Sequence, residues 1–259
     1  CGAGCSGNPI ELGLSFGPSG WGEHHELGHN IQYGRFKIDG GASGEVSNNI
    51  FPLAVNWKRA NTDGDLSGNE GTRTSVAAKV ALLQQAAAEG KTAADVGVVG
   101  ASLDFYTALL TSGRGRWEDD GLLIIPQLYL MSRNIDAVSN WTADKDNFGY
   151  SLYASKPSGD NGNDFMVMAF SWLNKLDYRP FFWLWGVSWS AQADAQIDAY
   201  GFNLVSTAIP IYASNFTYVN NVTVDNPNNP YIRTPADRAS LNNNNPTGAG
   251  AVLAVSSLA

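Results

Sequence analysis

Hydrophobic residues recur at three- and four-residue spacing over much of the chain, which is the pattern of helices with one buried face. The clearest example runs through Val76, Val80, Leu83 and Ala87, and Gly90 follows as a stop signal. The same reasoning predicts further helices over residues 21–33, 44–59, 101–111, 121–133, 163–176 and 191–200. The pattern therefore predicts a mainly α protein.

The composition changes near residue 206. From there to residue 259, ten Asn and five Pro interrupt short runs of Val, Ile and Tyr, of which residues 216–224 are the most strand-like. We therefore divide the chain into a helical domain, residues 1–205, and an Asn- and Pro-rich tail, residues 206–259. The tail is expected to supply a strand or two, a linker, or the start of a further module.

Charge and length exclude several classes of function. The 259 residues contain 16 Lys and Arg against 24 Asp and Glu, so the formal net charge is −8. This sign is wrong for a phosphate-binding surface, and we expect no nucleic-acid partner. No stretch approaches the roughly 18 apolar residues of a membrane helix, so we expect no transmembrane segment in this chain.

The two cysteines, Cys1 and Cys5, lie close together in Cys-Gly-Ala-Gly-Cys. A local disulfide from an oxidising compartment is the first interpretation, and free thiols or half of a metal knuckle are the alternatives. The chain has no initiator Met and no signal segment, so its first residue looks like a cut through a longer protein.

All three histidines fall within six residues, and two of them frame His25-Glu26-Leu27-Gly28-His29, an H-E-x-x-H pattern. Positions four apart share one helix face, so both imidazoles can reach one Zn²⁺ while Glu26 enters the same cleft. Chance would produce this arrangement roughly once in a thousand such sequences. The alternative is a pair of capped or solvent-facing histidines, and His24, about 100° around the helix, is expected at the surface.

A catalytic zinc needs one more protein ligand. The H-E-x-x-H-x-x-G-x-x-H arrangement is excluded, because Gln32 and Arg35 stand where its glycine and last histidine would be. The third ligand should then be a carboxylate, and Asp39 and Glu45 are the candidates in reach. Glu45 is expected in the first turn of the second helix, capped by Ser43, where the helix dipole alone would also favour an acid.

The H-E-x-x-H motif becomes more specific when it is considered together with residues 44–49. His25-Glu26-Leu27-Gly28-His29-Asn30, followed by Gly44-Glu45-Val46 and Asn49, resembles the enhancin-like, mucin-degrading gluzincin metallopeptidases, which include the AcfD-type bacterial surface lipoproteins. Residues 1–9, residues 117–131, the run from Asp177 to Phe182 and Trp185-Gly186 are also similar to that family's helical half. The resemblance covers about residues 1–200.

This resemblance implies that His25, His29 and Glu45 hold Zn²⁺ and that Glu26 is the general base. It implies a mainly α (α+β) catalytic half, in which helices pack around an active-site helix. Gluzincins place a β-sheet before that helix, whereas only about 20 residues precede the motif here. We therefore expect the N-terminal sheet to be truncated.

Asn30 and Asn49 are candidates for orienting a metal ligand, and an amide that only bonds nearby backbone is the alternative. Aromatic residues near the C-terminal end of the helical domain form either a sugar-stacking platform or, more simply, part of the core. They are Phe181, Phe182, Trp183, Trp185 and Trp189.

The resulting hypothesis is a secreted or cell-surface zinc endopeptidase of domain 1–205, acting on proteins or glycoproteins of the O-glycosylated, mucin-like class. Glu26 would accept a proton from a zinc-activated water. A non-catalytic glycan-binding or adhesion module that retains the zinc site is the alternative, and an amidase or another zinc hydrolase acting on cell-wall peptides is the third. The presence of Glu26 favours an enzyme, because pure binding needs no general base.

Overall fold

The computed structural model describes residues 21–64, 76–112, 124–159, 162–213, 216–232 and 237. These residues form the helices α1 (Trp21–Ile31), α2 (Ile50–Thr62), α3 (Val76–Ala88), α4 (Leu103–Ser112), α5 (Ile124–Ala137), α6 (Trp141–Asp144), α7 (Gly162–Asn174), α8 (Arg179–Leu184) and α9 (Ala191–Tyr200), and the strands β1 (Ala208–Tyr212) and β2 (Tyr218–Thr223). The predicted mainly helical α+β fold is confirmed. Cys1, Cys5 and residues 117–123 lie outside the described residues.

Most helix predictions hold to within a few residues because their start and stop signals are local. Helix α3 ends at Ala88, just before the expected stop at Gly90, whose φ of +66° is left-handed, and the Lys91 amide donates to the Ala86 carbonyl at 2.7 Å. Helix α9 begins where predicted, and the Ser190 hydroxyl accepts from the Ala193 amide at its first turn.

The prediction for the second helix is wrong at its start. Helix α2 begins at Ile50, and two 3₁₀ turns, Gly40–Ser43 and Ser47–Asn49, occupy the preceding stretch. Ser43 does not cap a helix, because it is buried and its hydroxyl lies 3.3 Å from the Tyr106 hydroxyl of α4. A contact with a residue so far along the chain overrides the local capping signal, and Glu45 lies between the two turns.

The core is built around α4, α7 and α8. Every residue from Asp104 to Ser112 is buried, so α4 is enclosed on all sides. Phe105 stacks edge to face on Phe182 and on Trp185. Phe181, Phe182 and Trp185 are fully buried, which confirms that these rings belong to the core and are not a sugar platform. Trp183 and Trp189 are half-buried.

The two strands form an antiparallel hairpin, with Ala208 opposite Thr223 and Ile211 opposite Asn220. Strand β1 packs against α3 and α4, and its Ile209 is fully buried. The hairpin thus shares the hydrophobic core of the helices. The proposed boundary at residue 205 stays a prediction.

A buried arginine joins the last helices to the end of the described chain. Arg179 forms ion pairs with Asp177 at 2.6 Å, Asp194 at 3.1 Å and Asp198 at 2.7 Å. The Tyr231 hydroxyl donates to the same Asp194 carboxylate at 2.9 Å. This network holds the segment after β2 against α8 and α9.

Within the described part of the chain, no helix combines the length and the apolar character required to cross a membrane.

Candidate metal centre

Helix α1 brings two histidines together on one face. His25 and His29 lie one turn apart, and their ring centroids are 4.9 Å from each other with the planes nearly perpendicular. The helix packs against α2 and the Ser47–Asn49 turn. The imidazole pair therefore faces the loop that leads into α2.

That loop delivers the third predicted ligand. Oε2 of Glu45 lies 3.1 Å from Nε2 of His25 and 3.2 Å from Nε2 of His29. The candidate ligand atoms of these three side chains all lie within 4.8 Å of one another. The Glu45 side chain is 77% exposed, so the cluster opens to solvent.

Asp39, the other carboxylate considered, is occupied elsewhere. Its backbone is left-handed, with φ of 56°, and the Asn163 amide donates to its carboxylate at 2.9 Å. The Asp39 amide in turn donates to the Asn163 side-chain oxygen at 2.7 Å. This paired interaction fixes Asp39 as a turn residue, and the structure places only Glu45 with the histidines among the described residues.

The hydrogen-bond partners of Asn49 determine which nitrogen of His25 carries a proton. The Trp21 indole, which can only donate, lies 2.9 Å from Oδ1 of Asn49, and Nδ2 of Asn49 donates to the Glu45 carbonyl at 2.8 Å. These two contacts fix the orientation of the Asn49 amide, independently of His25. Nδ1 of His25 lies 2.7 Å from the same Oδ1 and must be its donor, which leaves a lone pair on Nε2 in the neutral ring.

The same logic applies to His29. Nε2 of Gln32 donates to the Gly44 carbonyl at 2.7 Å, so Oε1 of Gln32 is the atom 3.3 Å from Nδ1 of His29. Nδ1 is then the donor and Nε2 carries the lone pair. The contacts of Asn48 support this assignment. Its Nδ2, which can only donate, lies 3.2 Å from the His25 carbonyl oxygen and 3.0 Å from Nε2 of His29.

Two imidazole lone pairs therefore face one carboxylate oxygen. Desolvation opposes ionisation of Glu45, but when the imidazoles are protonated, hydrogen bonding from His25 and positive charge at His29 outweigh it and hold the pKa of Glu45 below its usual value. With neutral rings, Nε2 of His25 and Oε2 of Glu45 are two acceptors 3.1 Å apart, and a proton or a metal cation between them would stabilise the arrangement. Nε2 of His29 also accepts from the Asn48 amide at 3.0 Å. Two nitrogens and one carboxylate are a donor set that fits Zn²⁺, with room for water.

The remaining candidates on α1 differ in their surroundings. Glu26 follows His25 and is half-buried. The Asn30 side chain donates to the backbone carbonyl of Glu26 at 3.3 Å, so it bonds nearby backbone. His24 is half-buried and lies outside the cluster of ligand atoms. Sequence reasoning missed Gln32 and Asn48 as partners of His29, although Gln32 lies one turn beyond that histidine.

Gly28 allows α1 to pack closely against the segment that follows Glu45, and its replacement should destabilise the fold. A Cβ atom at this position would lie 2.7 Å from a ring carbon of Phe51 and 3.0 Å from the Asn48 carbonyl oxygen. We expect Gly28→Ala to lower the free energy of unfolding by about 1–3 kcal/mol, measured by chemical denaturation, because α1 must move away from the loop.

Gly22 provides the matched control on the same helix. A Cβ there would meet no atom within 4 Å, so Gly22→Ala should be neutral or stabilise by up to about 1 kcal/mol through helix propensity. Equal effects of the two substitutions would contradict the close approach at Gly28.

A helix carrying H-E-x-x-H, met by an acidic side chain from the following loop, defines the site of a metallopeptidase. The sequence model of the peptidase M60, enhancin and enhancin-like, family matches residues 14–186. The chain belongs to this family, which implies a bound metal ion. The resemblance to enhancin-like metallopeptidases is thereby confirmed.

Similar proteins include a bacterial protease and solved structures. The immunomodulating metalloprotease of Pseudomonas aeruginosa is 40% identical over 221 residues, covering 78% of this chain and 24% of that protein. The solved structure of IMPa from Pseudomonas aeruginosa in complex with an O-glycopeptide has a TM-score of 0.72 at 34% identity, covering 91% of this chain and 28% of that one. IMPa metallopeptidase in complex with T-antigen has a TM-score of 0.70 at 33% identity, covering 89% and 28%. The chain spans about a quarter of the length of these relatives.

Proposed function

We propose that this chain is a zinc endopeptidase domain in which His25, His29 and Glu45 hold the ion. The observation that carries the proposal is the meeting of two Nε2 lone pairs with the Glu45 carboxylate, each ring being fixed by an amide oxygen on its other nitrogen. When bound, Zn²⁺ supplies the positive charge that acidifies water and stabilises negative charge on a scissile carbonyl.

Glu26 is the proposed general base. It adjoins His25 on α1, and in an H-E-x-x-H helix this position enters the same cleft as the metal. Its carboxylate accepts a proton from the attacking water and returns it to the departing amide nitrogen. Asn49 and Gln32 keep the imidazoles oriented during this transfer, because each accepts a hydrogen bond from Nδ1 of one histidine.

The proposed substrates are O-glycosylated, mucin-like proteins met outside the cell or at its surface. This part of the proposal is supported by family membership and by the two solved relatives bound to an O-glycopeptide and to T-antigen. The acidic chain, with its net charge of −8, also offers no electrostatic attraction for nucleic acid.

A matched pair of substrates tests this function. The protein is incubated with a mucin-type O-glycopeptide and with the same peptide lacking the glycan, and products are identified by mass spectrometry. We expect cleavage of the glycosylated peptide, its loss on treatment with a chelator, and its return on addition of Zn²⁺. Binding of the glycopeptide without cleavage by the zinc-loaded protein would replace the proposal with the glycan-binding module.

A further inference from the structure

We propose that Gln32 is a positioning residue that fixes His29 as a metal ligand and ties it to the loop carrying Glu45. This inference rests on the proposed metal site, and it concerns a residue whose role the H-E-x-x-H pattern does not define. The structure places both ends of the Gln32 amide in defined hydrogen bonds, and each end acts on a different ligand of the site.

The oxygen end of the amide acts on His29. Because Nε2 of Gln32 faces the Gly44 carbonyl at 2.7 Å and the Ser47 hydroxyl at 2.6 Å, Oε1 must be the atom beside Nδ1 of His29. An acceptor at Nδ1 favours the tautomer with its proton there, and this tautomer presents the Nε2 lone pair to the metal.

The nitrogen end acts on the loop. Its acceptors, Gly44 and Ser47, flank Glu45, so the same side chain spans from the His29 ring to the backbone beside the third ligand. Gln32 therefore sets the distance between two ligands that are sixteen positions apart in the chain.

Asn49 repeats this arrangement on the other histidine. Its oxygen faces Nδ1 of His25 and its nitrogen donates to the Glu45 carbonyl. Two amides thus link two imidazoles to adjacent carbonyls, those of residues 44 and 45. The repetition distinguishes Gln32 from a surface amide with incidental contacts, because both links connect the same two parts of the site.

Nuclear magnetic resonance of the imidazole nitrogens in metal-free protein tests the first half of the inference. At about pH 8.5, well above the ordinary pKa of an imidazole, we expect the Nδ1–H tautomer for His25 and for His29. Gln32→Met should shift His29 toward the Nε2–H form, in which Nε2 donates to the Glu45 carboxylate and no longer accepts from the Asn48 amide, and should leave His25 unchanged. Gln32→Glu, which keeps an oxygen facing Nδ1, should retain the Nδ1–H form of His29.

Zinc affinity, measured by competition with a chelator, tests the second half. We expect Gln32→Met to weaken binding about 10–100-fold, the range typical of partners that orient metal ligands. Ser47→Ala, which removes only the hydroxyl contact, should weaken it much less. The His25 signal reports in the same samples whether each variant retains the site.

An unchanged His29 tautomer in Gln32→Met, or zinc binding as tight as in the wild-type protein, would overturn the inference while leaving the proposed function intact. If the wild-type protein binds no zinc, the proposed function fails instead, and the tautomers of the metal-free protein still decide what Gln32 does. The two failures are therefore distinguishable.

Discussion

Glu26→Gln should reduce peptide hydrolysis by about 10²–10⁴-fold, the usual contribution of a positioned general base. The amide cannot accept the proton of the attacking water, but it has nearly the same shape and leaves the two imidazoles and Glu45 in place. The zinc content, measured by elemental analysis, should therefore not change. The initial rate is measured on the O-glycopeptide for both proteins, before the wild-type reaction is complete.

Glu23→Gln is the matched control for this variant. Glu23 lies one turn earlier on α1 and is the acidic residue of its first turn, so the same chemical change occurs on the same helix. Its effect should be limited to a few tenths of a kcal/mol on helix stability. Cleavage by Glu26→Gln at the rate of Glu23→Gln would remove Glu26 from the mechanism.

Glu45→Ala should have the largest effect on metal binding. Removing the carboxylate leaves two imidazoles as protein ligands, so zinc affinity should fall by more than the roughly 10–100-fold typical of outer partners. Chelator competition measures this loss, and thermal unfolding checks it, since zinc should stabilise the wild-type protein far more than the variant.

Asp39→Ala separates the two acidic candidates. This change breaks the hydrogen bond from Asn163 and should cost some stability, but it should leave zinc affinity within error of the wild-type value. A greater loss of zinc in Asp39→Ala than in Glu45→Ala would reassign the third ligand, against the geometry described above.

The features that sequence could predict are those encoded within one or two helical turns. The spacing of Val76, Val80 and Leu83 and the stop at Gly90 define α3, and nothing distant changes that outcome. The placement of His25 and His29 on one face likewise follows from their separation by four positions. Such signals need only the geometry of a single helix.

Features that depend on distant partners could not be predicted in the same way. The local sequence predicts that Ser43 caps a helix, but its hydroxyl contacts the Tyr106 hydroxyl instead. Asp39 is likewise a candidate ligand by sequence, but its carboxylate accepts a hydrogen bond from Asn163. The function of Gln32 depends on Gly44, whose carbonyl reaches it only after the loop has folded. In each case the deciding contact joins segments whose proximity no local pattern specifies.

The packing of the hairpin on the helices limits where this protein can be cut. A recombinant fragment ending at residue 205 would lack Ile209 and Val224, both fully covered in the folded chain, and also Tyr231 from the arginine network. The apolar faces of α3 and α4 that β1 covers would then be exposed to solvent, and such a fragment should be recovered mainly as insoluble material. A fragment ending after residue 232 keeps these contacts.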